Sequence, residues 1–173
     1  MTQRVLLPAV DRRAQPWKDG GGTTRQVAAF PATAGLDDFA WRVSMAEVAS
    51  RGPFSRFADV DRVLIVLEGL LELEFGQAEK VILGPGDHHA FSGDARVMGT
   101  PIGGPVHDLN VMVRRGVWTV HVTQDPPPAI AGICVAIATQ RGAGIEPLDA
   151  MLVDDPAEIP QDFTGYFIQL ARA

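Results

Sequence analysis

The sequence predicts an all-β protein, and three observations carry that expectation. Eighteen glycines and thirteen prolines are spread over the whole chain and cut it into short apolar segments. Two runs alternate with a period of two: Phe39, Trp41, Val43 and Met45 share one face, and Leu71, Leu73 and Phe75 alternate with Glu72 and Glu74. Helical signals are thin, because residues 44–48 and 148–151 suffice for a turn or two and neither sustains a 3.6-residue stripe.

In chain order, residues 24–30 and 39–45 read as strands. Val63-Leu64-Ile65-Val66-Leu67 is apolar on both faces and reads as a central strand covered on each side. Residues 71–75 form a half-buried strand, and further strands are expected at 79–83, 106–114, 117–123, 132–139 and 164–171. Short strands joined by Gly/Pro turns point to a sandwich or closed barrel and not to a βα alternation. Asp125-Pro126-Pro127-Pro128 must be a connection, since three prolines lock φ and donate no backbone hydrogen bond. A faint echo of Ile82-Leu83-Gly84-Pro85-Gly86-Asp87 in Ile145-Glu146-Pro147-Leu148-Asp149 suggests two β-units of one design, 1–115 and 116–173, packed as one globule.

At 173 residues the chain is long enough to bury a core without a disulfide or metal. Its formal charge of 15 − 21 = −6, with no Lys/Arg block, disfavours nucleic acid and leaves a small-molecule or protein partner. No run approaches a membrane span, no long apolar signal follows Met1-Thr2-Gln3-Arg4, and the one cysteine has no partner. These features place the protein in the cytoplasm, with Cys134 as core filler in Ile133-Cys134-Val135-Ala136-Ile137.

The stretch from Gly52 to Gly69 resembles the first cupin motif, in which a His-x-His pair and a glutamate on adjoining strands hold a metal. Arg62 stands in the glutamate's position, with six residues between it and the closing Gly69. The His-x-His pair has no counterpart. The second cupin motif is equally eroded: from Gly86, its proline position falls on Ser92 and its histidine position on Val97. A guanidinium repels a metal ion, but its planar fork suits bidentate recognition of a carboxylate. The alternative is a structural ion pair of Arg62 with Asp61 or Glu68.

Six further motifs occur in order: Trp17-Lys18-Asp19-Gly20-Gly21-Gly22-Thr23-Thr24, Phe39-Ala40-Trp41-Arg42-Val43-Ser44, Gly52-Pro53-Phe54-Ser55, Asp61-Arg62, Phe91-Ser92-Gly93-Asp94 and Asp108-Leu109-Asn110-Val111-Met112. Together they resemble the HutD/Ves family over residues 17–114. The resemblance implies a bicupin, two fused β-barrel or jelly-roll units with little helix, in which the first unit carries the pocket. It also implies a link to histidine utilisation, with a regulatory role and ligands such as urocanate, formylglutamate or formate. Asp19 departs from the family's usual Asn: at the ligand its charge weakens anion binding, whereas in a turn it serves nearly as well.

The candidate pocket residues follow from these motifs. Asp108, Asn110 and Met112 share one face of a strand, and Met is unusual on a solvated face. Asn110 offers both donor and acceptor. Lys18 adds a second positive charge or lies in solvent, and Phe91 belongs to the matching Phe-Ser-Gly-Asp motif. Gly20 and Gly21 shape a turn or a pocket wall. They do not make a phosphate loop, because Lys18 precedes the glycines. Trp41 is expected as an apolar wall and is favoured over Arg42, which lies on the opposite strand face, so that both cannot line one cavity unless a bulge intervenes.

No metal cluster is legible: His88 and His89 are adjacent in an expected turn, and His107 and His121 are isolated. Gly-x-Ser-x-Gly is absent, and Ser55 has no adjacent base. The leading expectation is a metal-free, cofactor-free protein that binds a small carboxylate and is not an enzyme. A cupin enzyme acting on a related acid, as an isomerase or a metal-dependent dioxygenase, is the alternative. A third is an interaction protein with a vestigial pocket, and a homodimer through strand edges is left open.

Overall fold

The structure, a computed structural model, describes residues 4–76, 79–128 and 132–173. Its strands are β1 (Arg4–Leu7), β2 (Ala14–Pro16), β3 (Gly22–Phe30), β4 (Trp41–Val48), β5 (Gly52–Pro53), β6 (Val60–Phe75), β7 (Glu79–Leu83), β8 (His88–Ser92), β9 (Val97–Arg114), β10 (Trp118–Thr123), β11 (Ile133–Ala138), β12 (Ala150–Val153) and β13 (Gly165–Arg172). The described helix is limited to 3-10 turns at Ala9–Asp11 and Pro156–Glu158. The fold is all-β, as the glycine and proline spacing predicted.

Two compact units share the strands. One comprises residues 13–115, and the other joins residues up to Arg12 with residues 116–173. Residues 4–12 therefore differ from the contiguous 1–115 division: β1 pairs antiparallel with β12, Arg4 opposite Val153 and Leu7 opposite Ala150. The strand-sized span of β1 carries no local signal, because pairing with a distant strand defines it.

The 13–115 unit is an eight-stranded sheet in the order β2-β3-β4-β9-β6-β7, with β5 on β9 and β8 on β6. The other unit is a five-stranded sheet, β1-β12-β11-β13-β10. A sandwich or closed barrel was expected, and closure into barrels is not what the sheets show. Each sheet is instead an open path, because no pairing joins its two end strands among the described residues.

The expected strands 63–67 and 71–75 are one strand, β6. It pairs with β8 over Asp61–Ile65 and with β7 over Leu71–Phe75, and its register against β9 shifts around Glu68. Gly69 permits this at φ +88, and a Cβ there would sit 2.9 Å from the Pro105 carbonyl oxygen. Leu64, Ile65 and Val66 are fully buried, which matches a strand apolar on both faces. Of the two segments with weak helical signals, 44–48 is extended backbone in β4, while in 148–151 Leu148 lies in a turn at φ +71 and Ala150 and Met151 open β12.

Among the described residues, the 13–115 unit gathers its apolar side chains into clusters. One gathers Val48, Leu64, Val66, Leu71, Leu73 and Val106, and another gathers Phe39, Val60 and Met112. In the second unit Cys134 lies in a cluster with Ala136, Met151 and Phe167, and burial pushes its thiol up to about 12. A thiol so held is core filler and a poor nucleophile at neutral pH.

Candidate functional site

Strand parity builds the site. Arg42, Ser44 and Ala46 alternate along β4, Met112, Asn110 and Asp108 along β9, and Arg62, Leu64 and Val66 along β6. The register sets them in three rows, Arg42–Met112–Arg62, Ser44–Asn110–Leu64 and Ala46–Asp108–Val66. Along these rows a cavity of about 560 Å³ is lined by Arg42, Ser44, Arg62, Asp108, Asn110 and Met112. Trp17, Lys18 and Asp19 contribute to its wall from the turn before β3, and Phe54, Ser55 and Phe57 from the segment before β6.

The polar groups form a chain. Arg62 Nη2 donates to Asn110 Oδ1 at 2.6 Å, and Asn110 Nδ2 donates to Asp108 Oδ1 at 2.7 Å. Arg62 Nη1 donates to the Ser55 carbonyl at 3.1 Å. The rings of Phe91, Phe54 and Phe57 lie 5.0, 5.6 and 5.7 Å from its guanidinium carbon, so the cation is held among π-faces. Burial lowers the Arg62 pKa to about 10, opposed by the charge of Asp108 and reinforced by that of Arg42. It remains a cation at neutral pH. Burial also pushes the Asp108 carboxyl up to about 7, against the pull of Arg62, Asn110 and His107.

Arg42 is different. Its Nε donates to Gln26 Oε1 at 3.1 Å, and no carboxylate lies within ion-pair distance of it among the described residues. Burial lowers its pKa. The cavity therefore holds two buried guanidinium groups and one buried carboxyl, with Lys18 and Asp19 exposed at its wall.

The structure brings five of the residues named from sequence to this cavity: Arg62, Asp108, Asn110, Met112 and Lys18. Phe91 stands opposite Arg62 in the β6–β8 register and backs its guanidinium without lining the cavity. Gly20 and Gly21 belong to the turn. Gly20 takes φ +74, Gly20 N–H donates to the Trp17 carbonyl, and Asp19 Oδ1 accepts from Gly21 N–H at 2.9 Å. Asp19 thus shapes the turn and also lines the cavity.

Trp41 is a correction. It is buried at 1% exposure on the other face of β4, beside Phe30, and Arg42 takes the cavity side in its place. Parity had shown that the two residues diverge. The polar partners of Arg42 along β4 and β9, Ser44 and Asn110, were the signal that could have chosen between them.

The alternative ion pairs of Arg62 also give way. Asp61 is held by Arg115 at 2.8 Å, and Glu68 approaches His107 Nδ1 at 3.3 Å. His88 and His89 lie on β8 rather than in a turn, opposite Ile65 and Leu64, with His89 against Phe75. Among the described residues no three His, Cys, Asp or Glu side chains are gathered to hold a metal ion. No described helix is long and apolar enough to cross a membrane.

A family model described as HutD matches residues 9–140. The chain belongs to the HutD family. The match runs past the 17–114 span of the sequence motifs and into the second unit. A Pseudomonas putida protein described as an uncharacterized 21.2 kDa protein in the hutC 3′ region is 40% identical over 114 residues, 65% of this chain and 59% of that protein. Protein Ves of Citrobacter koseri is 40% identical over 101 residues, 57% of this chain and 52% of that protein. The chain thus spans between half and three-fifths of the curated relatives it matches. Among solved structures, HutD from Pseudomonas fluorescens SBW25, in a formate condition, matches with a TM-score of 0.84 and 26% identity, over 99% of this chain and 100% of that one. A conserved protein of unknown function from Pseudomonas aeruginosa PAO1 matches at 0.80 and 27%, over 99% and 93%. The HutD-family fold therefore extends along essentially the whole chain.

Proposed function

We propose that this HutD-family chain binds a small carboxylate metabolite in the cavity of its 13–115 unit, without a metal, and serves as a regulatory protein of histidine utilisation. The observation that carries the reading is the charge of the cavity. Two buried guanidinium groups face it with one buried carboxyl whose own pKa is raised to about 7. A buried cation with no ionic partner favours an anion from outside the chain. Carboxylate geometry matches the guanidinium fork, and the Phe54 and Phe57 rings supply apolar surface for the rest of the molecule.

Urocanate and formylglutamate fit a cavity of about 560 Å³ better than formate does. Family membership supports the pathway, since one relative is described as lying in the hutC 3′ region and a related HutD was solved in a formate condition. The proposal includes a bicupin relationship between the two units, a cytoplasmic location and a homodimer through strand edges, with no nucleic-acid or membrane partner. Thermal unfolding with each acid tests it, since a ligand at a hundredfold excess over Kd adds about 2.7 kcal/mol. No shift with urocanate, formylglutamate or formate, or a shift unchanged in Arg62→Ala, overturns the reading.

One observation favours a second reading, a metal-free isomerase or lyase acting on a related acid. Asp108 combines burial in a cavity with a carboxyl pushed up to about 7, the condition for a general acid–base group at neutral pH. Product formation from the same acids, lost in Asp108→Asn, supports this reading over simple binding. The metal-dependent form of the enzyme finds no group of three ligating side chains among the described residues.

A further inference from the structure

The two oxygens of Asp108 are unequally satisfied. Oδ1 accepts from Asn110 at 2.7 Å, while Oδ2 is buried with no partner. Asp108 is 0% exposed, yet it borders the cavity. The hydrogen bonds of the neighbouring donors go elsewhere, and Arg62 Nε, also buried without a partner, makes none to this oxygen. Asn110 Nδ2 already serves Oδ1, Arg62 donates to Asn110 and Ser55, and Arg42 donates to Gln26. Ala46 and Val66, opposite Asp108 on the two flanking strands, have no side-chain donor.

The cavity thus has two chemically distinct regions. The Arg42–Met112–Arg62 row asks for an acceptor, and Asp108 in its ionised form asks for a donor. An orphaned carboxylate oxygen is costly to bury, so a group that completes it contributes strongly to binding.

We infer that Asp108 is a second recognition residue of this pocket, which accepts a hydrogen bond from an N–H or O–H group of the ligand and so selects acids that carry such a donor away from their carboxylate. The inference rests on the carboxylate reading above and deepens it. A pocket that hydrogen-bonds a ligand N–H discriminates against the analogue without it, because the unmatched buried oxygen is left behind. Formate has no second group to offer and cannot meet both rows.

Paired acids that differ in the donor test the inference by calorimetry on the intact chain. Urocanate is compared with trans-cinnamate, which lacks the ring N–H, and formylglutamate with glutarate, which lacks the amide N–H. The expected result is that the donor-bearing member of at least one pair binds about tenfold or more tightly. In Asp108→Leu that preference disappears while the weaker member still binds. Equal or reversed affinities within both pairs of the wild type overturn the inference and leave carboxylate binding standing, whether or not the variant folds. Absence of binding by all four acids overturns the carboxylate reading and this inference together.

Discussion

Arg42 and Arg62 stand on either side of Met112, opposite the same residue of β9 from the two strands that flank it. Both are buried, and both line one cavity. Their surroundings nevertheless divide their roles. Arg62 is tied to Asn110 and Ser55 and enclosed by phenylalanine rings, whereas Arg42 has only the neutral Gln26. Arg62 therefore organises the site, and Arg42 is the cation with the most to gain from an incoming acid.

Replacing Arg42 should separate binding from stability. Arg42→Met removes a buried charge that lacks an ionic partner, so unliganded stability should hold or rise by about 1 kcal/mol. The thermal shift produced by acids should fall sharply. Urea denaturation with and without ligand measures both. A large loss of unliganded stability would mean that Arg42 is structurally neutralised.

Arg62→Ala should behave in the opposite way. It leaves the Asn110 carbonyl oxygen and the Ser55 carbonyl without their donor, and Asp108 without its nearest opposing charge. The loss expected is about 3 kcal/mol in urea denaturation, with acid binding impaired as well. A variant as stable as the wild type would show that the Arg62–Asn110–Asp108 chain contributes little to the fold.

Stability should fall as pH rises through neutrality on account of Asp108. Its folded-state pKa is raised to about 7, above the ordinary carboxyl value. A raised pKa means that the fold favours the protonated form, so this contribution is fully present below the ordinary carboxyl range and is lost through about pH 7. The stability of the wild type relative to Asp108→Asn should therefore decline by roughly 2–4 kcal/mol between pH 5 and pH 8.5. A difference that stays flat over that range would show that Asp108 keeps an ordinary carboxylate pKa.

Asp19→Asn should tighten acid binding without changing the fold. The side chain that accepts from Gly21 N–H keeps an oxygen in the same place, and one negative charge leaves the cavity wall. A few-fold gain in affinity at low salt, about twofold to fivefold, is expected, fading as salt is added. Unchanged affinity at low salt would place the Asp19 charge outside the ligand's field.

Gly22→Ala should destabilise the 13–115 unit by about 2 kcal/mol. A Cβ at this position would collide with the Glu47 carbonyl across the β3–β4 pair and approach the Trp17 ring at 3.1 Å. Chemical denaturation reads the loss directly. A neutral substitution would mean that β3 and β4 can part there without cost.

Part of the candidate cavity was legible in the chain, and the exceptions have a common cause. Arg62 could be found because it occupies a motif position where chemistry forbids the usual metal role. Asp108, Asn110 and Met112 could be grouped because a strand alternates its faces. Trp41 and Arg42 show where that logic stops. Alternation proves that they diverge, but only the pairing of β4 with β9 determines which of the two joins Asn110. Likewise β1 was invisible, because its four residues become a strand through β12, more than a hundred residues away.

By itself the sequence determined an all-β chain, a HutD-family resemblance, and an arginine where a metal-binding cupin has glutamate. Those are local properties: turn chemistry, period-two patterning, and residue type at a motif position. Tertiary structure alone decided that the sheets are open, that residues 4–12 join the second unit, and that Arg42 accompanies Arg62. It also decided that Asp108 keeps one oxygen without a partner. Register and burial set these outcomes. Both depend on which distant strands meet, and a single strand's pattern does not contain that information.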